Sequence, residues 1–253
     1  MEILSAFDGL FWLVLILVLL VFLQRWLHRE IQAVFLIVTR RAQATALIFS
    51  FIFIIGIFLH ELSHFLVAKL LRVGTGRFSI IPAQMPGGTL RLGYVEIANG
   101  GILRDSLIGA APLVTGCLCV AYAAIRLEMP FFWDLVRHAQ FELFWQGIAS
   151  LKSLPYFWLW LYLAFEVSST MMPSASDRHA WIPLGVVVSV LFGLTLLAGA
   201  GPWMLEHLAA PVNSFLKGLA AIFGMSGLVQ LVSTLPFALV HRLLSRLTGV
   251  DIT

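Results

Sequence analysis

His60, Glu61 and His64 form an H-E-x-x-H run. Two histidines four residues apart share one helix face, so both imidazoles can bind a single Zn²⁺. The glutamate between them can take a proton from a water that the metal has acidified. The setting sharpens this reading. From Ala42 to Leu59 the chain has no charged residue and no histidine, and three ionisable side chains then fall within five positions. Ionisable groups at membrane depth are costly and default to a functional role. A catalytic zinc takes three protein ligands and leaves one position open, so a third ligand must come from elsewhere. The carboxylates in or beside later apolar segments are Glu166, Asp177 and Glu206. Eleven residues separate Glu166 from Asp177, about 16 Å on a continuous helix, which is too far for both to share one metal. Pro173 can break the helix and aim Asp177 inward. Asp177 is therefore the preferred third ligand, Glu166 is the alternative, and His179 is a lesser candidate. Asp177 could instead cap the next helix or pair with Arg178, and Glu166 could make an interhelical hydrogen bond.

The elements that must position these residues are apolar helices. The chain has 253 residues, 60% hydrophobic and 11% charged, a balance that implies an all-α polytopic membrane protein. A net charge of +3 with no basic run excludes nucleic acid as a partner. About six transmembrane helices are predicted, at Gly9–Leu27, Ala44–Leu71, Ser106–Leu127, Leu154–Met172, Ile182–Trp203 and Gly218–Val240. Trp12 and Trp26 serve the first as interfacial anchors, and Gln230 and Pro236 interrupt the last. Between spans, Arg77–Ile81 and Thr89–Ile97 read as the strands of a short membrane-associated β-hairpin, with Gly and Pro between them. Met129–Ser150 reads as one amphipathic helix lying in the interface. Lys and Arg divide evenly between the two sides, so the positive-inside rule assigns no orientation. Glu2 and Asp8 stand where a signal peptide needs basic residues. Cys117 and Cys119, two apart on one helix, do not face each other and read as packing residues. With no internal repeat or low-complexity linker, residues 1–253 read as a single transmembrane domain whose metal-bearing core runs from about 44 to 203.

These residues resemble the site-2 protease family of intramembrane zinc metalloproteases, as a divergent member. That family carries its H-E-x-x-H late in a transmembrane helix, as His60–His64 does here, and follows it with a membrane-associated β-hairpin, matched by Arg77–Ile97. A Gly-Pro-x-x-Asn-type element comes next in the family. Here the run Gly109 to Gly116, containing Pro112, takes its place without the Asn. A later helix in the family carries Asn-x-x-Pro and then Leu-Asp-Gly, whose Asp is the third zinc ligand. Here Thr170-x-x-Pro173 precedes Ser176-Asp177-Arg178, so the Asn, Leu and Gly are replaced. The resemblance implies that Glu61 is the general base, that His60, His64 and Asp177 hold Zn²⁺, and that the substrate is a transmembrane protein whose helix unwinds. It implies that the Arg77–Ile97 hairpin binds the unwound segment as an added strand. The setting implied is a bacterial inner membrane.

Two other classes compete. A non-catalytic pseudoprotease or assembly subunit of a membrane complex would explain the altered Asp motif and the aromatic content. A transporter using the polar cluster as an ion site is disfavoured, because interrupted helices do not recur in matching halves.

Overall fold

The computed structural model describes residues 8–81, 83–84 and 90–250. Ten α-helices and four short strands follow in the order α1 (Asp8–Thr39), α2 (Ala42–Ile52), α3 (Ile54–Leu70), β1 (Thr75–Ser79), β2 (Ala83–Gln84), β3 (Leu90–Arg91), β4 (Tyr94–Ile97), α4 (Ile102–Arg126), α5 (Met129–Arg137), α6 (Phe141–Ser150), α7 (Phe157–Thr170), α8 (Trp181–Leu197), α9 (Gly201–His207) and α10 (Ala209–Thr248). Among the described residues, three helices, α1, α4 and α10, are long and apolar enough to cross a membrane. The number is five if each of two bent pairs, α2–α3 and α8–α9, counts as one. Large apolar side chains such as Phe11, Val18, Phe22, Val186, Val190 and Leu239 stand exposed along them. That surface suits lipid contact and membrane association.

Side-chain pairings give the helix directions. Tyr162 donates to the Ile52 carbonyl, Phe53 stacks on Phe165, and Gly56 and His60 meet Glu166 and Thr170. Both series climb together, so α3 and α7 are parallel. Gly116 packs on Met171 and Tyr122 on Trp160, so α4 runs the other way. At one end of α1, Asp8 pairs with Lys217 (2.8 Å), and near its other end Glu30 pairs with His241 (2.7 Å), which makes α1 and α10 parallel. Leu20 shares a core with Met171 and Phe223, whereas Leu27 packs in a cluster with Phe165 and Phe237. Both α1 and α10 therefore oppose α7.

Six alternating crossings do not emerge. They would set the first and last helices antiparallel. Because α10 opposes α7, the intervening chain must return to the side it left. The expected fifth span is the pair α8 and α9, bent by 108° at their junction, which is a broken span or a re-entrant loop. The alternating lines are α1, α2–α3, α4, α7 and α10. The first helix also runs twelve residues past Leu27, to Thr39. Trp26 donates to Glu30 (2.9 Å), a buried partner, rather than anchoring a helix end. The last helix is unbroken through Pro236. At 14 residues, α7 reaches only about 21 Å.

The interfacial segment also differs from the sequence reading. It is two helices, α5 and α6, separated at Ala139, which takes the left-handed conformation (φ 53°). Phe132 and Leu135 of α5 are buried, while α6 buries nothing. The hairpin holds in outline. β1 pairs antiparallel with β4, Phe78 opposite Val95 and Ser79 opposite Tyr94, and β2 pairs with β3 inside it. The turn residues expected at Pro82 and Pro86-Gly87-Gly88, and the start of the second strand at Thr89, fall outside the described residues. Both cysteines are free, with Cys117 in the core beside Val120 and Met171.

Candidate metal centre

The site is built where α3, α4 and α7 meet. The chain breaks at Phe53, and α2 and α3 bend by 72° there. A new helix N-terminus inside an apolar bundle leaves backbone N–H groups without partners. Glu166, fully buried on α7, meets this need, and its Oε2 accepts from the Gly56 amide at 2.9 Å. Glu166 thus works as a cap on α3, its Oε2 taking a backbone N–H that the helix itself leaves without a partner. Glu166, the sequence alternative for the third ligand, engages Oε2 at the Gly56 amide, one turn before His60, and the group that could hold a metal is His60, His64 and Asp177.

The other end of α7 poses the mirror problem, because its last carbonyls have no intrahelical donors. Three side chains from three helices supply them. Gln230 of α10 donates to the Ser168 carbonyl (2.8 Å), and Gln24 of α1 to that of Ser169 (2.7 Å). His60 Nδ1 bonds the Thr170 carbonyl (2.7 Å). Gln24 stands midway along α1, so the site lies midway along the bundle. His64 Nδ1 bonds the Ile108 carbonyl of α4 (2.8 Å). A carbonyl only accepts, so each Nδ1 carries a proton, and in the neutral ring that leaves the Nε2 lone pair for a metal. This second tier of carbonyl partners fixes both rings in metal-binding orientation.

Asp177 lies in the segment between α7 and α8. Helix α7 stops at Thr170, and Pro173 follows. The chain then makes a tight turn in which the Ser174 amide donates to Asp177 Oδ2 (2.7 Å). Two features of α4 hold that turn against the site. Ser106 donates to the Ala180 carbonyl (3.1 Å), and Gly109 lies so close to the Asp177 carbonyl that no Cβ fits between them. The result brings two imidazoles and one carboxylate together. His60 Nε2 and His64 Nε2 are 3.3 Å apart, Asp177 Oδ1 is 3.3 Å from His64 Nε2, and Asp177 Oδ2 is 3.5 Å from His60 Nε2. His60, His64 and Asp177 could hold a metal ion. Glu61 is buried on the same helix and lines the same cavity of about 1050 Å³. The β-sheet reaches it from the far side, where Gly93 packs on Ile57 and Glu61, and an added Cβ would stand 3.1 Å from Glu61 Cγ.

The remaining candidates are elsewhere. His179 bonds the Ser176 carbonyl (2.6 Å) and faces Asp105 at 3.9 Å, on the exposed rim of the cavity. Glu206 is exposed on α9. Sequence reasoning missed Gln24, and it read Gln230 only as an interruption. Their signal was present, as lone amides inside apolar runs, which need a partner at that depth.

In comparison with known proteins, the chain matches no family model, no curated protein and no solved structure.

Proposed function

We propose that this chain is an intramembrane zinc metalloprotease of the site-2 protease type, hydrolysing peptide bonds of membrane-embedded proteins. One observation carries the reading, the close approach of two imidazole nitrogens and one carboxylate. Tetrahedral zinc with Zn–N and Zn–O bonds of about 2.0–2.2 Å requires ligand-to-ligand edges of roughly 3.3–3.5 Å. Here the two Nε2 atoms are 3.3 Å apart, and the Asp177 carboxylate brings Oδ1 to 3.3 Å from His64 Nε2 and Oδ2 to 3.5 Å from His60 Nε2, so each contact has about the length of such an edge. The donor set fits as well, since two neutral imidazoles and one carboxylate leave a fourth position open.

Bound there, zinc supplies a Lewis acid that polarises the scissile carbonyl and acidifies a water beside it. The chain's own groups do the rest. Glu61 projects about 100° around α3 from His60, which keeps it off the ligand set and beside the cavity. It accepts the proton of the attacking water and returns it to the leaving amine. The Thr170 and Ile108 carbonyls hold the two rings while charge builds on the substrate. The β1–β4 sheet, packed on Ile57 and Glu61 through Gly93, offers strand addition to a substrate helix that has unwound. Lipid, a transmembrane substrate and a bacterial inner membrane complete this reading.

The test is a paired measurement on purified protein. Wild type binds about one zinc per chain and cleaves a single-span substrate. Glu61→Gln keeps the zinc and stops cleavage, while His60→Ala/His64→Ala and Asp177→Ala lose both. Cleavage by Glu61→Gln at the wild-type rate would refute the assignment. Zinc bound without any cleavage would favour the pseudoprotease.

A further inference from the structure

The cavity does not end at the metal ligands. It runs along α3 and reaches His28 of α1, whose ring meets Phe49 and Phe53 edge-on at 5.2 and 5.3 Å. Toward that end its lining is Phe49, Phe53, Ile57 and Leu92, with His28 the polar exception. The His28 ring lines this space, yet its Nε2 is buried with no hydrogen-bond partner. A buried polar atom left unpaired is destabilising, and native proteins keep few of them without a use. The register of α1 is also set by the site itself. Gln24, one turn before His28 on the same helix face, is tied to the Ser169 carbonyl beside Thr170, which holds His60. His28 therefore stands a fixed distance beyond the ligands, on the wall of the same channel.

We propose that His28 is a substrate-binding residue, hydrogen-bonding a backbone group of the unwound substrate segment on one side of the scissile bond. The proposal rests on the protease reading above. Unwinding a transmembrane helix strips its N–H and C=O groups of partners where water is scarce. An added strand pairs only the groups facing the sheet edge, and those facing α1 still need a partner. Imidazole can donate or accept according to tautomer, and a half-turn of the ring presents either nitrogen. Phe49, Phe53 and Ile57 give the neighbouring substrate side chains an apolar wall.

Binding to non-cleaving protein tests this apart from catalysis. The probe is a fluorescent single-span peptide of about 20 apolar residues with Gly-Pro at its centre, in detergent micelles. The host is Glu61→Gln protein. Adding His28→Phe keeps the ring packing on Phe49 and Phe53 but removes both nitrogens. Peptide affinity should fall roughly five- to tenfold, the loss of one hydrogen bond, with zinc content and melting temperature unchanged. His28→Gln should restore most of the affinity. Equal affinity for His28→Phe and its parent would overturn the proposal and leave His28 as aromatic packing. Loss of zinc and a lower melting temperature in His28→Phe would assign it to the fold instead. Failure of the Glu61→Gln parent to bind the peptide at all would overturn the protease reading itself, and this inference with it.

Discussion

Replacing Gly109 with alanine tests the site without touching a ligand. An added Cβ would meet the Asp177 backbone, with the carbonyl carbon at 3.0 Å and the carbonyl oxygen closer still. Backbone cannot swing aside as a side-chain end can, so either α4 or the Asp177 turn must retreat on the order of 1 Å. Both movements damage the centre. Retreat of the turn carries the Asp177 carboxylate away from the imidazoles. Retreat of α4 drags the Ile108 carbonyl, which orients His64 at 2.8 Å. Metal–ligand distances tolerate only about 0.2 Å. Zinc affinity should therefore fall at least 10–100-fold, the range seen when outer partners of a metal site are lost. Overpacking should also cost about 1–3 kcal/mol of stability. Competition with a chromophoric chelator measures the affinity, and thermal unfolding in detergent measures the stability. Gly185→Ala on α8 is the control, since its Cβ would meet nothing within 4 Å. Wild-type zinc affinity in a folded Gly109→Ala protein would refute the claim that α4 positions Asp177.

Glu166 should behave as a helix cap. Glu166→Gln keeps an acceptor for the Gly56 amide and should leave zinc stoichiometry unchanged, whereas Glu166→Ala should lower stability by about 1 kcal/mol. Zinc lost from Glu166→Gln at unchanged stability would return Glu166 to the ligand set. The parallel packing of α1 and α10 predicts sidedness in single-cysteine labelling of sealed vesicles. After removal of Cys117 and Cys119, Asn99→Cys and Ala209→Cys should label from one side and Ala139→Cys from the other. Opposite labelling of positions 99 and 209 would restore α8–α9 as a crossing.

The histidine pair and its glutamate were legible in the sequence because helical periodicity alone puts His60 and His64 on one face. The apolar class was legible because so large a share of hydrophobic residues leaves a chain of this size no aqueous solution. A turn after Pro173 was legible from covalent geometry. The choice between Asp177 and Glu166 was not, because it depends on where the interrupted α2–α3 helix needs a cap, and Glu166 supplies it. Nor was the path of the chain. Hydropathy measures how apolar a segment is, not its direction, so Ile182–Trp203 counted as a crossing. The pairings Asp8–Lys217 and Glu30–His241 show α10 parallel to α1, a direction that exists only once the helices pack. Gln24 and Gln230 stood out in the sequence only as amides in apolar runs. Their partners, the open carbonyls at the end of α7, exist only once α1, α7 and α10 are packed together. The sequence thus determined which groups could bind metal and that they lie among apolar helices. The tertiary structure decided which carboxylate joins them, because that requires one helix end to meet another across more than a hundred residues of chain.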